Sequence, residues 1–213
     1  MDIAVLYLED YGTELFEELI LASQSESLAV ETEGRKNQPM ANLEWMVIPA
    51  IAIYIAKPFI DKFLAKAAED SVSIAYPKFK AAVQALVIRI FKHDRSKFAI
   101  ISSGKNKGVD EGAWIFGIYS VTRNNQRIKF IFDDKLNEGE YQHAIDQMFD
   151  LLRQHHLEGT EDDITLGIRA LPNSNCSDIF LLYDRQNQKW RAVDPLTEMR
   201  RIKDGNTNRN HPT

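Results

Sequence analysis

Apolar and polar positions alternate with different periods along the first half of the chain. Ile3 to Leu8 is a short apolar run, and residues 28–33 alternate, so both stretches predict strands. Between them, apolar side chains at helical spacing predict an amphipathic helix with Thr13 as its N-cap. Residues 59–68 and 77–91 also carry apolar stripes at helical spacing, so the pattern predicts two further helices.

The second half predicts mostly strands. Asn124 and Asn125 tolerate a positive φ, which favours a hairpin between flanking apolar runs, and residues 184–188 are typical of a second turn. The aromatic side chains in these runs favour a packed core over a base-stacking surface. The predicted strands cover residues 98–101, 114–121, 128–132, 164–168, 179–183 and 189–193.

One long helix interrupts the predicted strands. Asn137 and Glu140 have the spacing of a capping box, and an apolar stripe follows them over residues 137–156. His155 and His156 close this helix, where a positive side chain interacts favourably with the helix dipole. Adjacent helical residues point about 100° apart, so the two histidines make a poor metal chelate.

Segregated helices and strands predict an α+β fold rather than a doubly wound sheet. We expect a strand–helix–strand and a helical block in residues 1–92, and a mainly antiparallel sheet with helix 137–156 in residues 97–196. The charged stretch 92–97 is the predicted boundary, although the two parts sharing one core is an alternative. Residues 199–213 predict a polar, basic tail.

Charge is distributed unevenly along the 213 residues. The net charge is -5, yet residues 1–34 hold nine acidic side chains and no Lys or Arg, which leaves the rest of the chain slightly basic. This asymmetry favours a solvated acidic face, with an acidic docking surface for a partner or an internal electrostatic pairing as the alternatives, and the net charge argues against nucleic-acid binding. The single cysteine, Cys176, and the acidic start of the chain predict a cytoplasmic protein.

Residues 45–56 form an uncharged apolar run that predicts a buried core helix. The alternative is a membrane-docked or membrane-active protein that uses segment 45–63, because aromatic residues favour interfaces and lysines follow the run. The candidate residues for membrane or partner contact are Trp45, Ile51, Tyr54, Ile55 and Phe59.

The loop at residues 102–112 is rich in glycine and lysine, which suits anion binding by backbone amides and ammonium groups. It lacks the spacing of a P-loop, so the pattern favours a flexible loop between two strands, with anion binding as the alternative. A phosphate- or nucleotide-handling enzyme would place this loop beside carboxylates from Asp10 or Asp133. The candidate anion-binding residues are Ser103, Gly104, Lys105, Lys107 and Gly108.

We assign no catalytic residue, metal ligand or cofactor from the sequence, because no residue pattern matches a known catalytic, cofactor-binding or metal-binding spacing. Nothing close to Cys176 in the sequence would activate its thiol. The leading hypothesis is therefore a non-catalytic cytoplasmic protein-binding or regulatory protein. Membrane docking and phosphate chemistry are the alternatives.

Overall fold

The protein is represented by a computed structural model whose described residues are 1–25, 28–36, 51–68, 75–92, 116–132, 136–157, 161–171 and 178–194. The strands in these ranges are β1 Ile3–Leu8, β2 Val30–Arg35, β3 Ile51–Ile55, β4 Phe116–Val121, β5 Arg127–Ile131, β6 Asp178–Asp184 and β7 Lys189–Val193. The helices are α1 Glu17–Gln24, α2 Lys57–Ala68, α3 Ala75–Lys92, α4 Glu138–Leu157 and α5 Asp163–Ala170. Two 3₁₀ turns, Glu9–Tyr11 and Thr13–Phe16, precede α1.

The strands form one mixed sheet in the order β2-β1-β3-β4-β5-β6-β7. The pairs β1/β2, β3/β4 and β5/β6 are parallel, and helices lie between their strands along the chain. The other neighbours, β1/β3, β4/β5 and β6/β7, are antiparallel. The predicted α+β class is therefore confirmed, and within residues 97–196 two of the three described strand pairs are antiparallel.

The described helices pack on one face of the sheet. Alternate strand side chains such as Ile3, Ile53 and Phe130 point to this face and join buried helix residues such as Val83 and Met148 in one large apolar cluster. On the second face, Ile131, Phe180 and Val193 form a smaller buried cluster. Both faces of the central strands are therefore withdrawn from water.

Strands from both sides of the predicted boundary at 92–97 enter this sheet. β3 comes before that boundary and β4 after it, and the two strands are parallel neighbours. Apart from Lys92, the boundary lies outside the described residues, as does the tail at 199–213. The division into two parts stays a prediction.

Several local predictions are confirmed. The backbone N–H of Asn137 donates to Glu140 Oε2 at 2.7 Å, and the N–H of Glu140 donates to Asn137 Oδ1 at 3.0 Å, so the capping box forms. The hairpin between β4 and β5 places Asn125 at φ 60°. The second hairpin places Gln188 at φ 50° in the turn between β6 and β7.

The predicted helix over residues 45–56 is wrong where the structure describes it, because residues 51–55 form the strand β3. β3 lies between β1 and β4, and four of its five side chains are buried, so the alternation that marks a half-exposed strand is missing. The following helix, α2, starts at Lys57 and holds Pro58 in its first turn, where the missing backbone N–H does no harm.

Two further predictions need correction. Residues 164–168 lie in the helix α5 rather than in a strand, because Asp162 caps this helix by accepting a hydrogen bond from the Thr165 backbone N–H at 2.8 Å. The first predicted helix exists, but Thr13 does not act as its N-cap. Thr13 lies inside a 3₁₀ turn that follows Gly12, whose φ is 67°.

Candidate functional site

β2 lies at one edge of the described sheet and carries exposed acidic side chains. Its neighbour among the described strands is β1. Glu31, Thr32 and Glu33 are exposed in succession. Because successive side chains of a strand point to opposite faces, solvent reaches both faces of β2 at this point.

One more acidic side chain lies against this edge, and others lie on the connection that leads to it. The Glu9 side chain lies against β2, since its Cγ is 3.1 Å from the position that a Cβ on Gly34 would occupy. We call Glu9, Glu31 and Glu33 the acidic rim. The connection between β1 and β2 carries three more exposed glutamates, Glu14, Glu17 and Glu18. Charged side chains on an edge strand also prevent unwanted strand pairing, which explains Glu31 and Glu33 even without a partner.

The second face of the sheet holds a row of aromatic side chains around a lysine. Tyr54, Tyr119, Lys129 and Phe180 are register neighbours on β3, β4, β5 and β6. The Tyr54 and Tyr119 rings stack with their centroids 4.5 Å apart. Lys129 Nζ lies 5.3 Å from the Tyr119 ring centroid and 5.9 Å from that of Phe180, within the range of cation–π contacts. We call these four residues the aromatic–lysine cluster.

Burial changes the ionisation of this cluster. It lowers the pKa of Lys129 to about 8, although the charge of Asp178 acts in the opposite direction. Burial also raises the pKa values of Tyr54 and Tyr119 above the ordinary value for tyrosine. Asp178 accepts hydrogen bonds from Arg127 Nε at 2.8 Å and Nη2 at 2.9 Å. Groups with shifted pKa values concentrate at functional sites, so this cluster is a second candidate.

A buried histidine–carboxylate pair has a structural role. The Arg123 backbone N–H donates to His155 Nε2 at 3.2 Å, so this network places the ring proton on Nδ1, which donates to Asp162 Oδ2 at 2.8 Å. Both ring nitrogens are therefore engaged, and Nε2 is not offered to a substrate. Through these hydrogen bonds, the pair connects the β4–β5 turn with the end of α4 and the start of α5.

The carboxylate of this pair is held in its charged form. Burial raises the pKa of Asp162, but the hydrogen bonds from the Thr165 backbone and from His155 outweigh burial and leave the pKa below its ordinary value. The neighbouring His156 donates from Nε2 to the Val121 carbonyl at 2.9 Å, and burial lowers the pKa of its imidazole. The two histidines thus make separate contacts with the β4–β5 hairpin.

Comparisons of the chain with protein-family models, curated proteins and solved structures found no match. We therefore infer function from the surfaces and clusters of the molecule itself.

The structure separates the residues proposed for membrane or partner contact. Ile51, Ile55 and Phe59 are buried in the large cluster on the helical side of the sheet, whereas Tyr54 lies on the second face. This placement agrees with the predicted burial in the core for these three residues. Trp45 lies outside the described residues, and its contact role stays a prediction. None of the helices in the described ranges is long and apolar enough to cross a membrane.

The predicted anion-binding loop at 102–112 lies outside the described residues. The roles of Ser103, Gly104, Lys105, Lys107 and Gly108 therefore stay predictions, and Asp133 and Cys176 also lie outside. Asp10 belongs to the 3₁₀ turn Glu9–Tyr11. Within the described ranges, no group of three or more His, Cys, Asp or Glu side chains is arranged to hold a metal ion.

Sequence reasoning missed Lys129. It follows Ile128 and precedes Phe130, two residues that point to the helical core, so alternation predicts an exposed side chain for Lys129. The signal was indirect: the predicted strands carry aromatic residues on both faces, with Phe116 and Phe130 on the helical face and Tyr119 and Phe180 on the second face. Such residues indicate a sheet whose second face is also buried.

Proposed function

We propose that this chain is a non-catalytic protein-binding or regulatory protein of the cytoplasm that takes a basic, extended segment of a partner protein along β2. The observation that carries the proposal is the exposure of β2 at the sheet edge, with glutamates at alternate positions. An extended peptide that adds a strand to such an edge gains main-chain hydrogen bonds, and its side chains supply the specificity.

The rim defines the chemistry of the expected partner. Glu31 and Glu33 are two residues apart, so they project from the same face of β2. A partner strand with Lys or Arg at alternate positions would place one positive charge beside each glutamate. Opposite charges on adjacent strands stabilise pairing by about 0.2–1 kcal/mol per pair.

The same charges disfavour a second copy of this chain as the partner. If β2 paired antiparallel with β2 of another copy around Thr32, each Glu31 would lie opposite a Glu33. Like charges directly opposite each other destabilise a strand pair. A distinct, basic partner is therefore the better match for this edge.

Peptide binding tests the proposal. The probe is a fluorescein-labelled peptide with the sequence Lys-Val-Lys-Val-Lys-Val, titrated with the 213-residue chain and followed by fluorescence anisotropy. We expect saturable binding that weakens about tenfold in a Glu31→Lys, Glu33→Lys variant, equivalent to about 1.4 kcal/mol. The matched control is Glu17→Lys, Glu18→Lys, which changes the net charge equally on α1, and we expect at most about a threefold loss.

A second peptide separates strand addition from simple charge attraction. Methylation of the valine amide nitrogens removes backbone donors and leaves all three lysines in place. We expect this peptide to lose most of the affinity. Equal binding by the two peptides, or equal weakening by the two charge-reversal variants, would contradict strand addition at β2. Urea denaturation of each variant establishes that it is folded.

A further inference from the structure

The two histidines at the end of α4 bind the β4–β5 hairpin in opposite roles. His156 donates a hydrogen bond from Nε2 to the Val121 carbonyl at 2.9 Å. His155 is only 4% exposed, and its Nε2 accepts a hydrogen bond from the Arg123 backbone N–H at 3.2 Å. A ring nitrogen accepts a hydrogen bond only while it carries no proton, so the contact with Arg123 requires a neutral imidazole.

We propose that His155 is an acid-sensitive switch that holds the β4–β5 turn, residues 122–126, while its ring is neutral and releases the turn when the ring is protonated. In an imidazolium both ring nitrogens are donors, so the new Nε2 proton would point at the Arg123 N–H proton. Neither donor would then have an acceptor in this buried place, so the turn has to move away. Histidine ordinarily changes its charge between pH 5 and 8, so mild acid is the signal.

The other nitrogen of the ring makes the release specific to the turn. His155 Nδ1 donates to Asp162 Oδ2 at 2.8 Å. Burial raises the pKa of Asp162, but its hydrogen bonds outweigh burial and keep the carboxylate charged. A positive charge on the ring strengthens a hydrogen bond to such a carboxylate. Acid should therefore loosen the turn while α4 stays joined to α5.

The charged groups that face His155 act in both directions. The Asp162 carboxylate at the start of α5 favours protonation of the ring. The Arg123 guanidinium, which comes from the turn, opposes protonation, because its Nη2 lies 3.2 Å from the same oxygen, Asp162 Oδ2. Release of the turn separates the ring from the Arg123 backbone N–H, which can then bind water.

His156 does not act as a second switch of this kind. Burial lowers the pKa of its imidazole, so this ring needs stronger acid than an ordinary histidine. On α2, Lys57 and Asp61 lie near this ring, and they pair with each other at 2.7 Å, so the pair carries no net charge. The Nε2 of His156 is a donor to Val121 in the neutral ring and stays a donor when the ring is protonated.

NMR of the ¹⁵N-labelled 213-residue chain between pH 8 and pH 5 tests the proposal. The imidazole ¹⁵N shifts measure the protonation of His155, and amide hydrogen exchange, corrected for the intrinsic effect of pH, measures the protection of the Arg123 N–H. We expect this protection to fall by about tenfold or more, with the same midpoint as the protonation of His155. The Thr165 N–H, which donates to Asp162 Oδ1 at 2.8 Å, should stay protected over the whole range.

Two matched variants separate the histidines. In His155→Gln no ring can be protonated, so the protection of Arg123 should be the same at pH 8 and pH 5. His156→Gln keeps a donor for the Val121 carbonyl and should retain the full response to acid. Urea denaturation at pH 7.5 establishes that each variant is folded.

Three results in the unmodified protein would overturn the proposal. The first is protonation of His155 while the Arg123 N–H stays protected. The second is a ring that stays neutral down to pH 5. The third is a joint loss of protection at Arg123 and Thr165, which would show general unfolding instead of release of the turn. A response that disappears in His156→Gln would also overturn the proposal.

Discussion

Burial of the Lys129 ammonium costs free energy in the folded chain, whereas burial of its apolar neighbours in β5 is favourable. A lysine ammonium placed among rings loses its hydration. The cation–π contacts with Tyr119 and Phe180 offset only part of the free energy that this desolvation costs. The folded and unfolded chains therefore release this proton at different pH values. A difference of this kind makes stability depend on pH.

We expect the free energy of unfolding to rise between pH 8 and about pH 9.5. In the folded chain Lys129 loses its proton near pH 8, whereas the unfolded chain keeps it to near the ordinary value of 10.5, so the unfolded chain binds more protons in this window. The expected gain is on the order of 1–2 kcal/mol. At still higher pH the trend reverses, because Tyr119 keeps its proton longer when folded.

Urea denaturation at pH 7.5, 8.5 and 9.5 measures this gain, with Lys129→Met and Lys189→Met compared in parallel. The first variant should flatten the pH profile, because it removes the buried ammonium. The second removes an exposed lysine from β7 and should leave the profile unchanged. A flat profile in the unmodified protein would show that Lys129 keeps its proton on folding.

Residues whose partners are close along the chain could be predicted, and residues with distant partners could not. Asn137 bonds to Glu140, and Asn125 shapes its own turn, so the sequence around each contains the necessary information. Lys129 depends on Phe180, which comes 51 residues later and becomes its neighbour only through the β5–β6 register. The sequence pattern around Lys129 therefore does not predict such a neighbour.

At the scale of elements, the packing of α5 on β7 depends on one glycine. A Cβ on Gly167 would lie 2.9 Å from the Cβ of Ala192, closer than real Cβ atoms approach each other. Gly167 therefore lets the helix approach the strand. In contrast, Gly139 lies in the exposed first turn of α4, where an added Cβ would come no closer than 3.5 Å to its nearest neighbour.

We expect Gly167→Ala to lower the free energy of unfolding by about 1–3 kcal/mol, because steric overlap outweighs the better helix propensity of alanine. Gly139→Ala should be neutral or stabilising by up to about 1 kcal/mol. Ala192→Gly should restore most of the loss when combined with Gly167→Ala. Urea denaturation of the unmodified protein, Gly167→Ala, Ala192→Gly and the double variant forms a double-mutant cycle, with Gly139→Ala as the control. Equal stability of the Gly167 and Gly139 variants would show that α5 moves away from β7 without penalty.

Elements were predicted well where one side faces water and poorly where burial is complete or the element is short. The half-exposed helices α2, α3 and α4 show the stripe that a periodic pattern detects. β3 lacks any alternation, since Ile51, Ala52, Ile53 and Ile55 are all buried. α5 has only eight residues, too few for its stripe to outweigh the β-branched residues Ile164, Thr165 and Ile168.

On the scale of the whole molecule, β3 joins the two halves of the chain. Its backbone pairs with β1 on one side and with β4 on the other. Its isoleucines enter the apolar cluster that also contains Phe116 and Phe130 from the second half. Removal of either half would leave a central strand unpaired and expose apolar side chains that are now buried.

We therefore expect neither residues 1–92 nor residues 97–213 to fold alone. Each fragment should lack a cooperative unfolding transition, whereas the 213-residue chain should unfold in one step when followed by circular dichroism. Size-exclusion chromatography should show the fragment 1–92 expanded or aggregated, because β3 becomes an apolar edge. A cooperative melt from either fragment would instead support two independent parts.

The strand order also determines how the sheet can assemble during synthesis. β2 pairs with the outer side of β1, which leaves the other side of β1 open. β3 joins β1 on that side, and each strand from β4 to β7 then joins its predecessor at the same growing edge. Neighbouring strands are thus consecutive in the chain, apart from β1 and β3, although the parallel pairs β3/β4 and β5/β6 are connected through helices. β2 stays at the opposite border from the moment it forms. Its exposed glutamates would disfavour pairing of a later apolar strand with β2. The acidic rim would therefore limit the addition of strands to the opposite edge during folding, before any partner binds.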